Sequence, residues 1–426
     1  MRIKRFVYGL VLLVLLLAAA SIGLVQFAQA KAHTSPAAVI NWNQIAQRTT
    51  IQVAKMYISQ SEIYISYVQA AVYDAVVSIQ GHYQPYDLKL KRRPTASVDA
   101  AVAAAAHDVL VHYFPAQKAA LDADYSTSLA AIPDGRRKTD GIQAGQEAAA
   151  GIIALRQGDG VEANIGFSMP APAPGVWQLP AGQTPQTPWV AKMRPFLLQS
   201  PDQFRPGPPP ALTSQQWANE YNEIKSLGAA NSTTRTAEQT DIARFFSGSP
   251  VVMFNSAYQQ IIQNRGLDAL QAARLYAMGN LVGADAAIAC FDAKYTYLFW
   301  RPVFAIPQGD TDGNPDTTGD PTWTPLLATP NHPEYPAAHG CQTSAQAEVF
   351  AAFLGTDNIN IDLASTVPNL TTTTRHFQTV NDLETEIVNA RVWGGLHYRE
   401  SVEQGVALGG EVARWSLERY FQTGYR

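Results

Sequence analysis

"ADAAIACFDAKYTYLFWRP", residues 284–302, decides the fold. Apolar side chains occur at every angle around the axis, so the stretch reads as the end of a buried helix running from Gly266 to Trp300. Pro302 stops that run, because proline lacks the N–H a helix interior needs. Lys294 and Arg301 are seven residues apart, two helical turns, and project from nearly the same face. Two cations on a buried stripe are costly unless something anionic lies between them. The plainer reading of the pair is two independent surface salt bridges.

The surrounding chain agrees with a helical fold. Its 426 residues are 46% hydrophobic and 15% charged, with a net charge of −4, which suits packed helices and offers no basic face for nucleic acid. Helices are expected over 58–79, where apolar residues recur at helical spacing, and over 97–114, with Ser97 as cap. A further helix is expected after Thr213 as cap, and the last ones over roughly 341–354, 376–393 and 397–422. No convincing pair of alternating strands is visible, so the class is all-α.

Residues 1–30 read as an export signal or a membrane anchor. Arg2, Lys4 and Arg5 precede an uncharged run ending in Ala28-Gln29-Ala30, a small-x-small cleavage signature. Cleavage after Ala30 places the protein in the periplasm or outside the cell, and a retained segment would tether it to the membrane. The rest divides into an N-terminal helical region (31–157), a Pro/Gly-rich loop that wraps or links (158–212), and a C-terminal helical bundle (213–426). Cys290 and Cys341 could pair in an oxidising compartment or serve as small buried residues.

Two more segments carry chemistry. "HPEYPAAHG", residues 332–340, crowds two histidines, two prolines and a glutamate ahead of an alanine-rich helix. The prolines stiffen the approach of His339 to a helix N-terminus, where backbone N–H groups favour an anion. His339 is suited to exchange a proton with such an anion, although a helix-start histidine is more often a cap or a core residue. "ARVWGGLHYRE", residues 390–400, offers Arg391 and His397. Gly394-Gly395 can break the helix there and turn both inward. Arg391 brings a planar fork for oxyanions, and His397 an imidazole able to bond to a tetrahedral centre. His332, His339 and His397 could instead hold zinc or iron, but three fixed cations repel a metal ion and attract an oxyanion.

These residues resemble the superfamily that joins vanadium-dependent haloperoxidases with type 2 phosphatidic acid phosphatases. Its pattern is Lys-x6-Arg-Pro, then Pro-Ser-Gly-His, then Arg-x5-His. Here the first element is Lys294, Arg301 and Pro302, and the third is Arg391 and His397. The middle one reads Pro336-Ala337-Ala338-His339, with alanine in place of serine and of glycine. Ala390 stands where serine usually opens the third element, and Ser401 at a later, usually acidic position. "ADAAIACFDAKYTYLFWRP", "ARVWGGLHYRES" and "QAAVYDAVVSIQGHYQPY" (69–86) are similar to the soluble haloperoxidase branch.

The resemblance implies two four-helix bundles with the site in the C-terminal one. It implies vanadate, or phosphate, bound through His397 and held by Lys294, Arg301, Arg391 and the Ala337–Ala338 segment, with His339 as acid–base residue. His332 resembles a bromoperoxidase halide or substrate residue, with a loop histidine capping a carbonyl as the plain alternative. His376 lies near the site by the same resemblance. The implied reaction is oxidation of halide by hydrogen peroxide. The alternatives are an exported phosphomonoesterase working through a phosphohistidine, and an oxyanion-binding relative weakened by the missing serine. Of the remaining signals, "DTDGNPD" (310–316) departs from an EF-hand and reads as a solvated turn.

Overall fold

The computed structural model describes residues 34–425, so the export-signal reading of 1–30 lies outside the described residues. Residues from Pro36 onward form one unit. Its first helices are α1 (Ala37–Gln47), α2 (Ile58–Gln80), α3 (Val98–Tyr113), α4 (Lys118–Ala130) and α5 (Arg136–Leu155). Ser97 caps α3 as its sequence predicts, its hydroxyl accepting from Ala100 N. Then come α6 (Gln215–Leu227), α7 (Ala237–Phe245), α8 (Pro250–Asn264) and α9 (Ala269–Tyr297). The last are a short α10 (Pro302–Ala305), α11 (Ala338–Leu354), α12 (Val380–Trp393) and α13 (Arg399–Arg419).

The 29-residue α9 is the axis of the fold, buried almost continuously from Ala269 to Lys294. It packs against α2 on one side and against α11 and α13 on the other. The main hydrophobic cluster spans Val39 to Phe421, and smaller ones lie around Trp217, Trp300 and Tyr398 and around Ala337 and Val402. The segment 158–212 has almost no regular structure but is pinned along α9. Buried Asp285 accepts the backbone N–H groups of Phe196, Leu197 and Leu198 at 2.6, 2.7 and 2.8 Å. Arg205 forms a fork on Asp292 at 2.6 and 2.9 Å, and the hydroxyls of Tyr295 and Tyr297 donate to Gln186 and Pro206 carbonyls. These bonds satisfy polar groups that a loop over an apolar helix would otherwise bury unpaired.

α11 and α13 approach closely because Gly405 and Gly409 face α11. A Cβ on Gly409 would stand 2.1 Å from the Cys341 carbonyl oxygen, and one on Gly405 would stand 2.6 Å from that of Ala337. This contact brings the α11 N-terminus against the start of α13.

Several sequence expectations need correction. α9 stops at Tyr297, not Trp300, where Leu298 adopts left-handed φ of 49°. Ser214, not Thr213, caps α6, accepting from Trp217 N. The helix expected from 376 starts at Val380, capped by Thr379 in a box with Asp382. The residues before it form β3 (Thr374–Phe377), antiparallel to β2 (Ile361–Ala364), in the register Ile361↔Phe377 to Ala364↔Thr374. A second pair joins β1 (His82–Tyr83) to β4 (Thr423–Tyr425). Such short strands are too brief to show alternation, so they were invisible to pattern reading. The all-α class nonetheless holds for the body of the molecule.

The "DTDGNPD" turn is also not simply solvated. Asp312, Asn314 and Thr317 are buried: Asp312 accepts from Trp217 Nε1 at 2.8 Å, and Asn314 donates to the Leu212 and Ser214 carbonyls. The turn is a polar knot that anchors the start of α6.

Candidate active site

Lys294 lies in the last turn of α9, fully buried, with its ammonium donating to the Pro333 and Glu334 carbonyls at 2.9 Å each. Burial, reinforced by the nearby Arg301 charge, pulls its pKa down to about 8. Beyond Leu298 the chain runs extended, and Arg301 occupies the cap position before α10 with φ −78° and ψ 150°. Lys294 and Arg301 therefore do not share a helical face. The turn after Tyr297, not helical periodicity, brings Arg301 to the same loop that Lys294 holds.

Arg301 is completely buried and uses its whole fork. Nε donates to the His332 carbonyl at 3.0 Å, Nη1 to the Leu396 carbonyl at 3.0 Å and to His397 Nε2 at 2.9 Å, and Nη2 to His332 Nδ1 at 3.0 Å. It thus ties "HPEYPAAHG" to the segment carrying His397. Burial draws its pKa down to about 10. The plain reading of Lys294 and Arg301 as surface salt bridges fails, since both are buried and neither faces a carboxylate in an ion pair.

His397 follows the glycine break, as the sequence suggests. α12 ends at Trp393, Gly394 caps it, and Gly395 turns the chain with φ of 74°. A guanidinium can only donate, so Nε2 of His397 accepts from Arg301 and the ring proton sits on Nδ1. That proton is donated to Glu334 Oε1, 2.9 Å away, which also accepts from Tyr398 N at 3.1 Å. Burial and the charges of Arg301, Lys294 and Arg391 hold the His397 pKa well below the ordinary imidazole value. The ring is thus neutral with an Nε2 lone pair on the Arg301 side.

Glu334 is the residue that sequence reading passed over. It is fully buried between two prolines, its second oxygen has no hydrogen-bond partner, and burial raises its pKa to about 7. The signal was present: a glutamate inside an apolar, proline-stiffened loop needs a buried partner. Nothing in the sequence said that His397 would supply it.

Arg391 comes from the last turn of α12 and is 2% exposed. Nη1 donates to the Phe246 carbonyl at 2.9 Å, whereas Nε is buried without a partner. Burial and the Arg301 charge lower its pKa to about 9. His339 is in the first turn of α11, partly buried, with Nε2 unpartnered. Its pKa too lies well below the usual value, through burial and the charges of Arg391, Lys294 and Arg301. Ala337 is the fully buried N-cap of α11 and offers no side-chain cap; its own N–H is spent on the Ser401 carbonyl at 2.9 Å. Ala338 is the first residue of that helix.

His332 is 6% exposed, its Nδ1 accepting from Arg301 Nη2, its ring 5.3 Å from that of Phe291. His376 instead stands exposed on β3, with Nδ1 2.8 Å from Asp362 Oδ1, because the chain there forms a surface hairpin. A cleft of about 280 Å³ reaches Arg301, walled by Trp177 and Pro180 of the wrapping segment and by Phe304, Pro325 and Pro330.

Three buried cations thus surround two neutral imidazoles and one carboxylate. The unpartnered donor on Arg391, the unpartnered His339 nitrogen and the His397 lone pair fit a tetrahedral oxyanion such as vanadate or phosphate. A resident metal cation would be repelled by the same groups.

Known proteins share the fold that carries these residues. Residues 274–423 match the family described as the VCPO second helical-bundle domain. Vanadium chloroperoxidase of Curvularia inaequalis is 24% identical over 271 residues, 48% of this chain and 44% of that protein, so the match spans about half the relative's length. A bacterial vanadium-dependent iodoperoxidase superposes with a TM-score of 0.77 at 23% identity, covering 92% of this chain and 98% of the other. The holo form of a bacterial vanadium-dependent chloroperoxidase gives 0.70 at 19% identity, covering 85% and 92%. The fold is that of the vanadium haloperoxidases, and the resemblance read from the three sequence elements is borne out.

Proposed function

We propose that this chain is an exported peroxidase of the vanadium haloperoxidase type, oxidising halide with hydrogen peroxide at an oxyanion site on His397. The single observation that carries the reading is the Glu334–His397–Arg301 chain of hydrogen bonds. It fixes a neutral ring whose Nε2 lone pair faces the buried Arg301 guanidinium. Vanadate held there would supply the Lewis acidity that activates peroxide.

The remaining roles fall to the protein. His397 Nε2 would be the residue that holds the oxyanion, while Glu334 keeps the proton on Nδ1. Lys294, Arg301 and Arg391 would hold the oxyanion oxygens and stabilise charge on them. His339, neutral and with an unpartnered Nε2, would serve as the acid–base group that exchanges a proton with bound peroxide. Ala337 supplies no hydroxyl donor, so the Ala337–Ala338 segment contributes only shape. The cleft bounded by Trp177 and Phe304 is the route for halide and peroxide, and His332 orients Arg301 from the second side.

The test is halogenation of a phenolic dye on the purified full chain. Activity requiring peroxide and added vanadate, and suppressed by phosphate, is the expected result. Phosphate release from a simple monoester without vanadate would replace this reading with the phosphohistidine one. Oxyanion binding with neither turnover would leave a binding protein.

A further inference from the structure

The site's chemistry leaves one pair of nucleophiles unused. Cys290 and Cys341 are both fully buried, and their sulfurs lie 2.6 Å apart. Cys290 is one helical turn before Lys294 on α9, and Cys341 is two residues after His339 on α11. Neither can easily retreat. The Cys341 carbonyl is pressed by Gly409 of α13, where no Cβ would fit, and the Cys290 sulfur donates to the Pro336 carbonyl at 3.6 Å. The 51-residue span between them includes Lys294, Arg301, His332, Glu334 and His339.

We infer that Cys290 and Cys341 form a reversible disulfide, with hydrogen peroxide as oxidant, that braces the oxyanion site by tying α9 to the first turn of α11. A disulfide needs sulfurs about 2.05 Å apart, so closing the bond takes only a small side-chain adjustment. Cys290 is the attacking sulfur. Burial opposes its ionisation, but the adjoining Cys341 and the Lys294 and Arg301 charges hold its pKa below the ordinary thiol value, whereas burial raises that of Cys341. The Cys290 thiolate attacks the O–O bond to give a sulfenic acid, and the departing hydroxide takes a proton to become water. The Cys341 thiol then displaces a second water, forming the S–S bond. Two sulfurs are oxidised by two electrons in all, and one peroxide is reduced to two waters. The inference does not depend on whether the site handles vanadate or phosphate.

The test starts from full chain purified under reducing conditions and treated with one equivalent of hydrogen peroxide. Intact mass and alkylation under denaturing conditions should show loss of two hydrogens, one peptide containing both cysteines, and recovery of two alkylatable thiols on reduction. The oxidised form should melt higher than the reduced form by about 5 °C. The variant C290A/C341A should show no difference between the two conditions. Two free thiols after peroxide, oxidation of Cys290 to sulfinic acid without a cross-link, or equal melting of the two wild-type forms would each overturn the inference. The mass experiment uses the wild-type chain and so stands even if the double variant folds poorly.

Discussion

Glu334 Oε1 accepts the Nδ1 proton of His397 across 2.9 Å, and this one bond determines which ring nitrogen is left to act. Removing it in Glu334→Ala frees the ring to carry its proton on Nε2, where it would oppose Arg301 and block the oxyanion. Affinity for inorganic phosphate or vanadate, measured by calorimetry, should fall by about 10–100-fold. Glu334→Gln, whose carbonyl still accepts from Nδ1, should keep most of it. Equal affinity in wild type and Glu334→Ala would show that the bond has no orienting role.

Lys294 gives the site its pH limit. An anion is bound by the charged ammonium, so affinity is complete below the lowered pKa of about 8 and declines as pH rises through it. Above that point the decline should approach about tenfold per pH unit. Arg301 and Arg391, at about 10 and about 9, keep their protons through the first part of that decline. Phosphate binding followed from pH 6 to 9.5 (roughly the window set by these shifts) tests this, with Lys294→Gln expected to flatten the inflection near the Lys294 value.

Ala337→Ser places a hydroxyl at the cap of α11, fully buried and two residues before His339. Oxyanion affinity should tighten by about tenfold, the worth of one added hydrogen bond to a charged group. Unchanged or weaker binding with an unaltered melting temperature would count against the proposed seat of the anion.

His332→Phe removes the Nδ1 acceptor that Arg301 Nη2 uses. The guanidinium would lose one of its four hydrogen bonds, and a change in halide preference or peroxide turnover is the expected consequence. A variant indistinguishable from wild type in steady-state assays with chloride, bromide and iodide would limit His332 to packing.

Gly395→Ala tests the turn that delivers His397. The residue has φ of 74°, and a Cβ there would stand 2.4 Å from the Gly228 carbonyl oxygen. Chemical denaturation should register a loss of about 2–4 kcal/mol, strain and clash combined. Oxyanion affinity should fall along with it, because His397 moves with the turn.

The helical class was legible because it needs only local information. The apolar run of α9, the Ser97 cap and the Gly394–Gly395 break each follow from residues within a turn or two of one another. The three elements around Lys294, His339 and Arg391 were legible as a motif. Lys294 and Arg301 share no helical face, since left-handed Leu298 ends α9 between them, a break that helical spacing does not reveal. The four-residue strands and the buried knot at Asp312 were missed for a related reason. Their stabilising partners are far along the chain, as with Trp217 and Asp312.

By itself, the sequence determined that buried helices would form and which cationic and imidazole side chains they would carry, because those properties belong to single segments. Only the tertiary structure decided the use of those side chains. Glu334 and His397 are 63 residues apart, and their hydrogen bond exists because Arg301, α11 and α13 press two loops together in a buried interior. A buried polar group takes its partner from whatever the packing brings within reach, so partner choice is made by packing and not by chain order.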